Sequence, residues 1–197
     1  MQVTLIDSPV ANVANISRAL RSAGASLHVT RDPQEIAASQ KLVLPGVGSF
    51  VAAMSWLTSH GIDEAIRAAV ANRATLLGIC VGHQLLFEES HELGVTRGLG
   101  LLRGRVTKFD GVLPVPQIGW NRVFAQSPLF DGVAAGTPFY FVNSYAVRDA
   151  EGEIARADYD GGFTAAAQRD RVFGVQFHPE KSSAAGLRML RNFVAWT

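Results

Sequence analysis

The sequence predicts an α/β fold: a mostly parallel central sheet flanked by helices, a three-layer sandwich, with antiparallel strands added to it. Three observations lead there. Short apolar runs alternate with helical patterns through the first half of the chain, the mark of strands joined by helical crossovers. Between residues 98 and 148 the helical period fades, and β-type runs punctuated by turn residues replace it. The 197 residues, 48% hydrophobic and 18% charged, suit one domain over 1–197 with one core, and contain neither an internal repeat nor a linker.

Taken in order, residues 3–7 read as the first buried strand. Residues 13–23 read as a helix with Ile16 and Leu20 on one face and Gly24 as its stop. Residues 27–30 make a second strand, and residues 41–44 a third, broken by the turn Pro45-Gly46-Val47-Gly48. Two helical stretches follow from about residue 50 to 72 around His60-Gly61, and residues 75–79 form the fourth strand. In the second half β-type runs fall at 105–109, 119–124 and 138–142. Strand patterns return at 163–168 and 172–177, after which Leu187, Leu190 and Val194 mark one face of a closing helix begun near Ser182 or Ser183.

Charge and length narrow the function classes. Lys and Arg number 18 against 17 Asp and Glu, so no basic face for nucleic acid or lipid headgroups is expected, and the partners are small molecules or protein. Charges interrupt every apolar run before the ~20 residues that a membrane-spanning helix needs. Residues 1–7 lack the charged and apolar regions of a signal peptide, and one cysteine cannot form an internal disulfide, which fits a reducing cytoplasm. No metal ligand set or cofactor is expected.

The sharpest local feature is Gly78-Ile79-Cys80-Val81-Gly82, in which a buried strand ends at a cysteine with glycines at i−2 and i+2. A nucleophile at such a strand-to-helix turn holds a strained backbone, and the glycines let strand and helix approach without Cβ clashes. The thiol is thrust into the open, where the first turn of the helix beginning at Val81 favours the thiolate. A lone cysteine in an apolar segment is otherwise commonly a small buried hydrophobe; the paired glycines favour the nucleophile.

A nucleophilic cysteine needs a base. Of five histidines, His178 follows an apolar strand in the run Gln176-Phe177-His178-Pro179-Glu180-Lys181-Ser182, and Pro179 biases it toward an extended backbone. Residues i and i+2 of an extended segment point the same way, so Glu180 can accept the imidazole N–H and complete a Cys-His-acid triad. The other reading of His178 is a surface or capping histidine with Glu180 as a solvated neighbour. His83, three residues past the cysteine, is the rival base and is expected to pack under the elbow. A thioester route also needs donors for an oxyanion, and the N–H groups of Val47 or Gly48 and of Val81 are placed to supply them, unless the first turn is an ordinary one. Its two glycines would make a peptide flip inexpensive.

Pro-Gly-Val-Gly, Gly-Ile-Cys-x-Gly-x-Gln and Gln-Phe-His-Pro-Glu-Lys-Ser resemble, in order and spacing over nearly the whole chain, the class I (triad) glutamine amidotransferases. Two further stretches, Val115-Pro116-Gln117-Ile118-Gly119-Trp120-Asn121 and Tyr140-Phe141-Val142-Asn143-Ser144-Tyr145, resemble the glutaminase subunits of imidazole glycerol phosphate synthases, which serve histidine biosynthesis. The resemblance implies a Cys80-His178-Glu180 triad that hydrolyses glutamine, with Gln84, Glu92, Ser144 and Tyr145 holding its amino and carboxylate ends. It also implies a heterodimer with a (β/α)8-barrel cyclase subunit that takes the ammonia, facing Asn12, Trp120, Tyr140 and Lys181. Departures from the family pattern stand at Gln117 and Asn143, where the family has histidine, at His83, where it has methionine, and in Pro9-Val10-Ala11-Asn12, where it has glycines before the asparagine. The competing readings are the glutaminase subunit of another synthase, such as anthranilate or aminodeoxychorismate synthase, and a non-catalytic regulatory subunit of the same fold. The spacing of His-Pro-Glu argues against a cysteine peptidase.

Overall fold

Burial identifies the centre of the molecule: Lys41–Gly46 and Thr75–Cys80 are buried at every position, as strands covered on both faces are. The computed structural model describes residues 1–9 and 11–197; Val10, one residue of the first-loop departure, lies outside them. β1 (Gln2–Ile6) leads to α1 (Val13–Ser22), β2 (Ser26–Thr30), α2 (Pro33–Ala37) and β3 (Lys41–Gly46). α3 (Phe50–Ser59) and α4 (Ile62–Ala71) return the chain to β4 (Thr75–Cys80) and the short α5 (Val81–Leu85). Then come β5 (Glu89–Ser90), β6 (Thr96–Arg97), β7 (Arg105–Lys108), β8 (Gln117–Ala125), β9 (Thr137–Asn143) and β10 (Tyr145–Val147). β11 (Glu153–Ala157), β12 (Phe163–Arg169), β13 (Val172–Val175) and α6 (Ser183–Ala195) complete the chain.

Among the described residues, nine strands form one sheet in the order β2-β1-β3-β4-β13-β12-β11-β8-β9, and β10-β7-β5-β6 form a smaller one. Pairing is parallel from β2 to β13 and antiparallel from β13 to β9. The antiparallel strands therefore extend the parallel sheet rather than stand apart from it. β1 steps to β2 in one direction and β3 to β4 in the other, so right-handed crossovers put α1 on one face and α3 with α4 on the opposite one. Accordingly α1 packs beside α6, and α4 packs against α2 and α3.

Local signals explain the helix boundaries. Asn12 accepts the N–H of Asn15 at 3.2 Å to start α1, which buries Ile16, Ser17 and Leu20. Asp32 accepts the N–H of Gln34 and Pro33 takes the first helical position in α2, a helix the apolar pattern does not predict. α6 buries Gly186, Met189, Leu190, Phe193 and Val194. Leu187, expected on that face, is only half-buried, because the stripe is filled by Met189 and Phe193 instead.

Two strand ends also differ from expectation. β3 continues through Pro45 and Gly46, in register with Ile79 and Cys80, so the turn narrows to Val47 and Gly48. β1 pairs β3 only at Leu42 and Val43, so Pro45 lies where its missing N–H removes no ladder bond on that side. β13 stops at Val175 rather than at 177, because the N–H of His178 turns to the carbonyl of Tyr140 in β9, at 2.9 Å. At the opposite end of the sheet, buried Lys41 donates through Nζ to the carbonyls of Phe193 (3.0 Å), Val194 (2.8 Å) and Trp196 (2.6 Å), closing the last turn of α6. Burial, and then the charge of Arg171, lowers the Lys41 pKa to about 8.

Candidate active site

Close backbone packing builds the elbow. A Cβ on Gly82 would lie 1.9 Å from the carbonyl oxygen of Leu44, one on Gly78 would lie 2.5 Å from that of Gly82, and one on Gly46 would lie 2.8 Å from the Gly82 nitrogen. Gly46 thus belongs to the elbow as a packing residue, a role its position in a turn motif does not announce. Between these contacts Cys80 takes φ 57° and ψ −113°, a conformation that costs a non-glycine residue about 1–3 kcal/mol and turns its side chain off the strand. α5 spans only five residues, so its dipole is weaker than a long helix would supply, and the nearby positive group for the sulfur is an imidazole.

His178 is that group. Its side chain is 4% exposed, and its Nδ1 lies 2.9 Å from Oε1 of Glu180, whose side chain is 2% exposed. With Nδ1 so occupied, Nε2 is the ring nitrogen left to exchange a proton with the thiol. Burial alone would lower the His178 pKa; hydrogen bonds to Cys80 and then Glu180, together with their charges, outweigh it and raise the value to about 10. The backbone around the ring is pinned as well. Ser182 Oγ donates to the carbonyl of His178 at 2.6 Å and accepts the N–H of Tyr140 at 3.0 Å.

Cys80 and His178 open onto a cavity of about 500 Å³, which Asn12, Val47, Gly48, Val81, Gln84, Glu92, Ser144, Tyr145 and Lys181 also line. Eleven of the fourteen residues singled out in the sequence therefore line the cavity, and Glu180 behind His178 makes twelve.

 Trp120 and Tyr140 lie outside the cavity. They are register partners on β8 and β9 with rings meeting edge-on at 5.9 Å, and Lys181 Nζ stands 5.7 Å from the centre of the Tyr140 ring. Trp120 is 52% exposed.

Some site residues escape the sequence reading. Gln176, fully buried, approaches Cys80 Sγ through Nε2 at 3.9 Å and accepts from Gln84 Nε2 at 2.9 Å; the same Gln84 nitrogen donates to the carbonyl of Tyr145. Its place two residues before His178 in an extended run is the signal that could have found it. Gln117 and Asn143 pair across β8 and β9, and their side-chain oxygens are buried without a partner among the described residues. His83 lies outside the cavity, edge-on to Phe87 at 5.0 Å and against Gly174, where a Cβ would come within 2.1 Å of its Nδ1. Neither of its ring nitrogens has a partner among the described residues, and burial lowers its pKa to about 3.

The family described as glutamine amidotransferase class-I matches residues 4–196. The imidazole glycerol phosphate synthase subunit HisH of Geobacillus thermodenitrificans is 47% identical, over 98% of this chain and 94% of that protein. The subunit of the same name from Syntrophotalea carbinolica is 44% identical, over 97% and 98%. Among solved structures, a glutamine amidotransferase superposes with a TM-score of 0.78 at 19% identity, covering 98% of this chain and 96% of that one, a likeness of fold.

Proposed function

This chain belongs to the class I glutamine amidotransferase family, and on that premise we propose that it is the glutaminase subunit of an imidazole glycerol phosphate synthase in histidine biosynthesis. The observation that carries the reading is His178, held by Glu180 at Nδ1 and sharing the wall of an open cavity with Cys80. The names of relatives 44–47% identical over nearly the whole chain support the choice of synthase.

In this scheme Cys80 yields its proton to His178 and the sulfur attacks the side-chain amide carbon of glutamine. The oxyanion that forms is held by the N–H of Val81 and that of Val47 or Gly48. His178 protonates the amide nitrogen, the C–N bond breaks, and ammonia leaves a γ-glutamyl thioester. Water, deprotonated by His178, attacks that thioester; the C–S bond breaks and glutamate departs. Glu180 keeps the ring oriented throughout. Gln84, Glu92, Ser144 and Tyr145 hold the amino-acid ends. Ammonia in water becomes ammonium, which has no lone pair to attack with, so it passes inside protein to a (β/α)8 cyclase subunit. Asn12, Trp120, Tyr140 and Lys181 face that partner in a cytoplasmic heterodimer. Residues 1–197 form one amidotransferase domain, and the scheme uses no cofactor.

Cys80→Ala tests the scheme: glutamine-dependent synthesis is lost while synthesis from added ammonium salt persists, and surviving glutamine hydrolysis would remove the nucleophile. The unpartnered oxygens of Gln117 and Asn143 favour one second reading, a non-catalytic subunit of the same fold. A glutamine-like electrophile that labels Cys80 stoichiometrically with the partner present excludes it.

A further inference from the structure

The carboxylate of Glu92 faces two elements at once. Its Oε2 accepts the N–H of Phe50, the first residue of α3, at 2.7 Å, and the residue also lines the catalytic cavity. Ser49, at the position that caps α3, makes no side-chain capping bond. Glu92 therefore supplies an acceptor for that helix end from a distant loop, where the helix dipole favours a negative charge. Phe50 is 1% exposed, so a bond to its backbone acts on a fixed point. Two residues before it stands Gly48 at φ +84°, and the register of β3 with β4 ends at Gly46 opposite Cys80. The Val47-Gly48 turn is thus held upstream by the sheet and downstream by Glu92.

Phe50 occupies one carboxylate oxygen, and the other remains for a cation in the cavity. We propose that Glu92 is the positioning residue of the oxyanion turn: one oxygen anchors Phe50 N–H, and with it the Val47-Gly48 amides, while the other meets the α-ammonium of glutamine. Recognition of the amino-acid end is then coupled to the geometry of the reacting end. This inference rests on the glutaminase reading above.

The test compares Glu92→Gln and Glu92→Ala with the parent chain, in complex with the partner subunit, for kcat and KM of glutamine hydrolysis. Alkylation of Cys80 by iodoacetamide, which has no amino-acid ends, reports whether the elbow is intact. The Gln variant keeps an acceptor for Phe50 but loses the charge: KM rises about tenfold or more and kcat stays within about threefold of the parent. The Ala variant shows the same rise in KM and a further fall in kcat of about 10²-fold, as when an oxyanion donor is lost, with alkylation unchanged. Equal kcat in the two variants overturns the tether while glutaminase activity stands. Loss of alkylation in the Ala variant overturns it too, making Glu92 a support of the whole elbow. A parent complex that hydrolyses no glutamine removes both readings before any variant is compared.

Discussion

The two halves of the large sheet use burial in opposite ways. β3 and β4, in the parallel half, are buried at every position and carry the nucleophile at their end. β8, near the antiparallel edge, alternates, and its outward row leaves Ile118, Trp120 and Phe124 exposed at 65%, 52% and 51%. Chemistry that needs a strained backbone sits where packing allows no relaxation, and a surface that can receive another protein sits where every second side chain is free. His178 joins the two: it follows β13, which pairs with β4 on one side and β12 on the other, and its N–H is held by Tyr140 of β9.

Changes to the parallel half break this contrast most severely. Gly82→Ala drives a Cβ into the Leu44 carbonyl; the expected outcome is a loss of about 4 kcal/mol or more in urea unfolding together with glutaminase activity, and a stable, active variant would refute the rigid elbow. Removing the sulfur acts next. In Cys80→Ala, burial is opposed only by Glu180, and the His178 pKa falls well below about 10, read by NMR titration. Because the folded-state value is raised, the stability His178 contributes is present below its ordinary 6.5 and lost as pH rises toward about 10. The variant loses that alkaline decline.

On the antiparallel side, Trp120→Ala changes unfolding stability by less than about 0.5 kcal/mol yet weakens partner binding by about tenfold or more, measured by calorimetry. The smallest effect sharpens the picture from within. His83→Met removes two unpartnered buried nitrogens and stabilises the chain by about 1 kcal/mol in urea at neutral pH. The gain grows in acid, since a folded-state pKa near 3 means stability is lost as pH falls below 6.5, by up to about 1.4 kcal/mol per unit.

The elbow and the His178-Glu180 pair were legible because each is written in residues a few positions apart. α2 went unread: Asp32-Pro33 marks its start, but its five residues are too short for periodicity to reveal. β11 escaped because Glu153 and Arg156 mask its alternation. Gly46 misled: the motif reads as a turn, while its constraint comes from Gly82, far along the chain. Nor could local pattern disclose that β13 stitches parallel and antiparallel strands into one sheet, since both its partners are set by tertiary pairing.

Lys41 pairs in register with Thr75, at the start of the strand that ends in Cys80, and grips the carbonyls of the final turn of α6. The chain therefore emerges at Thr197 on the far rim of the sheet. An affinity handle or surface anchor attached there leaves the mouth of the reaction chamber unobstructed, which recommends that end for immobilising the protein while its ammonia output is measured.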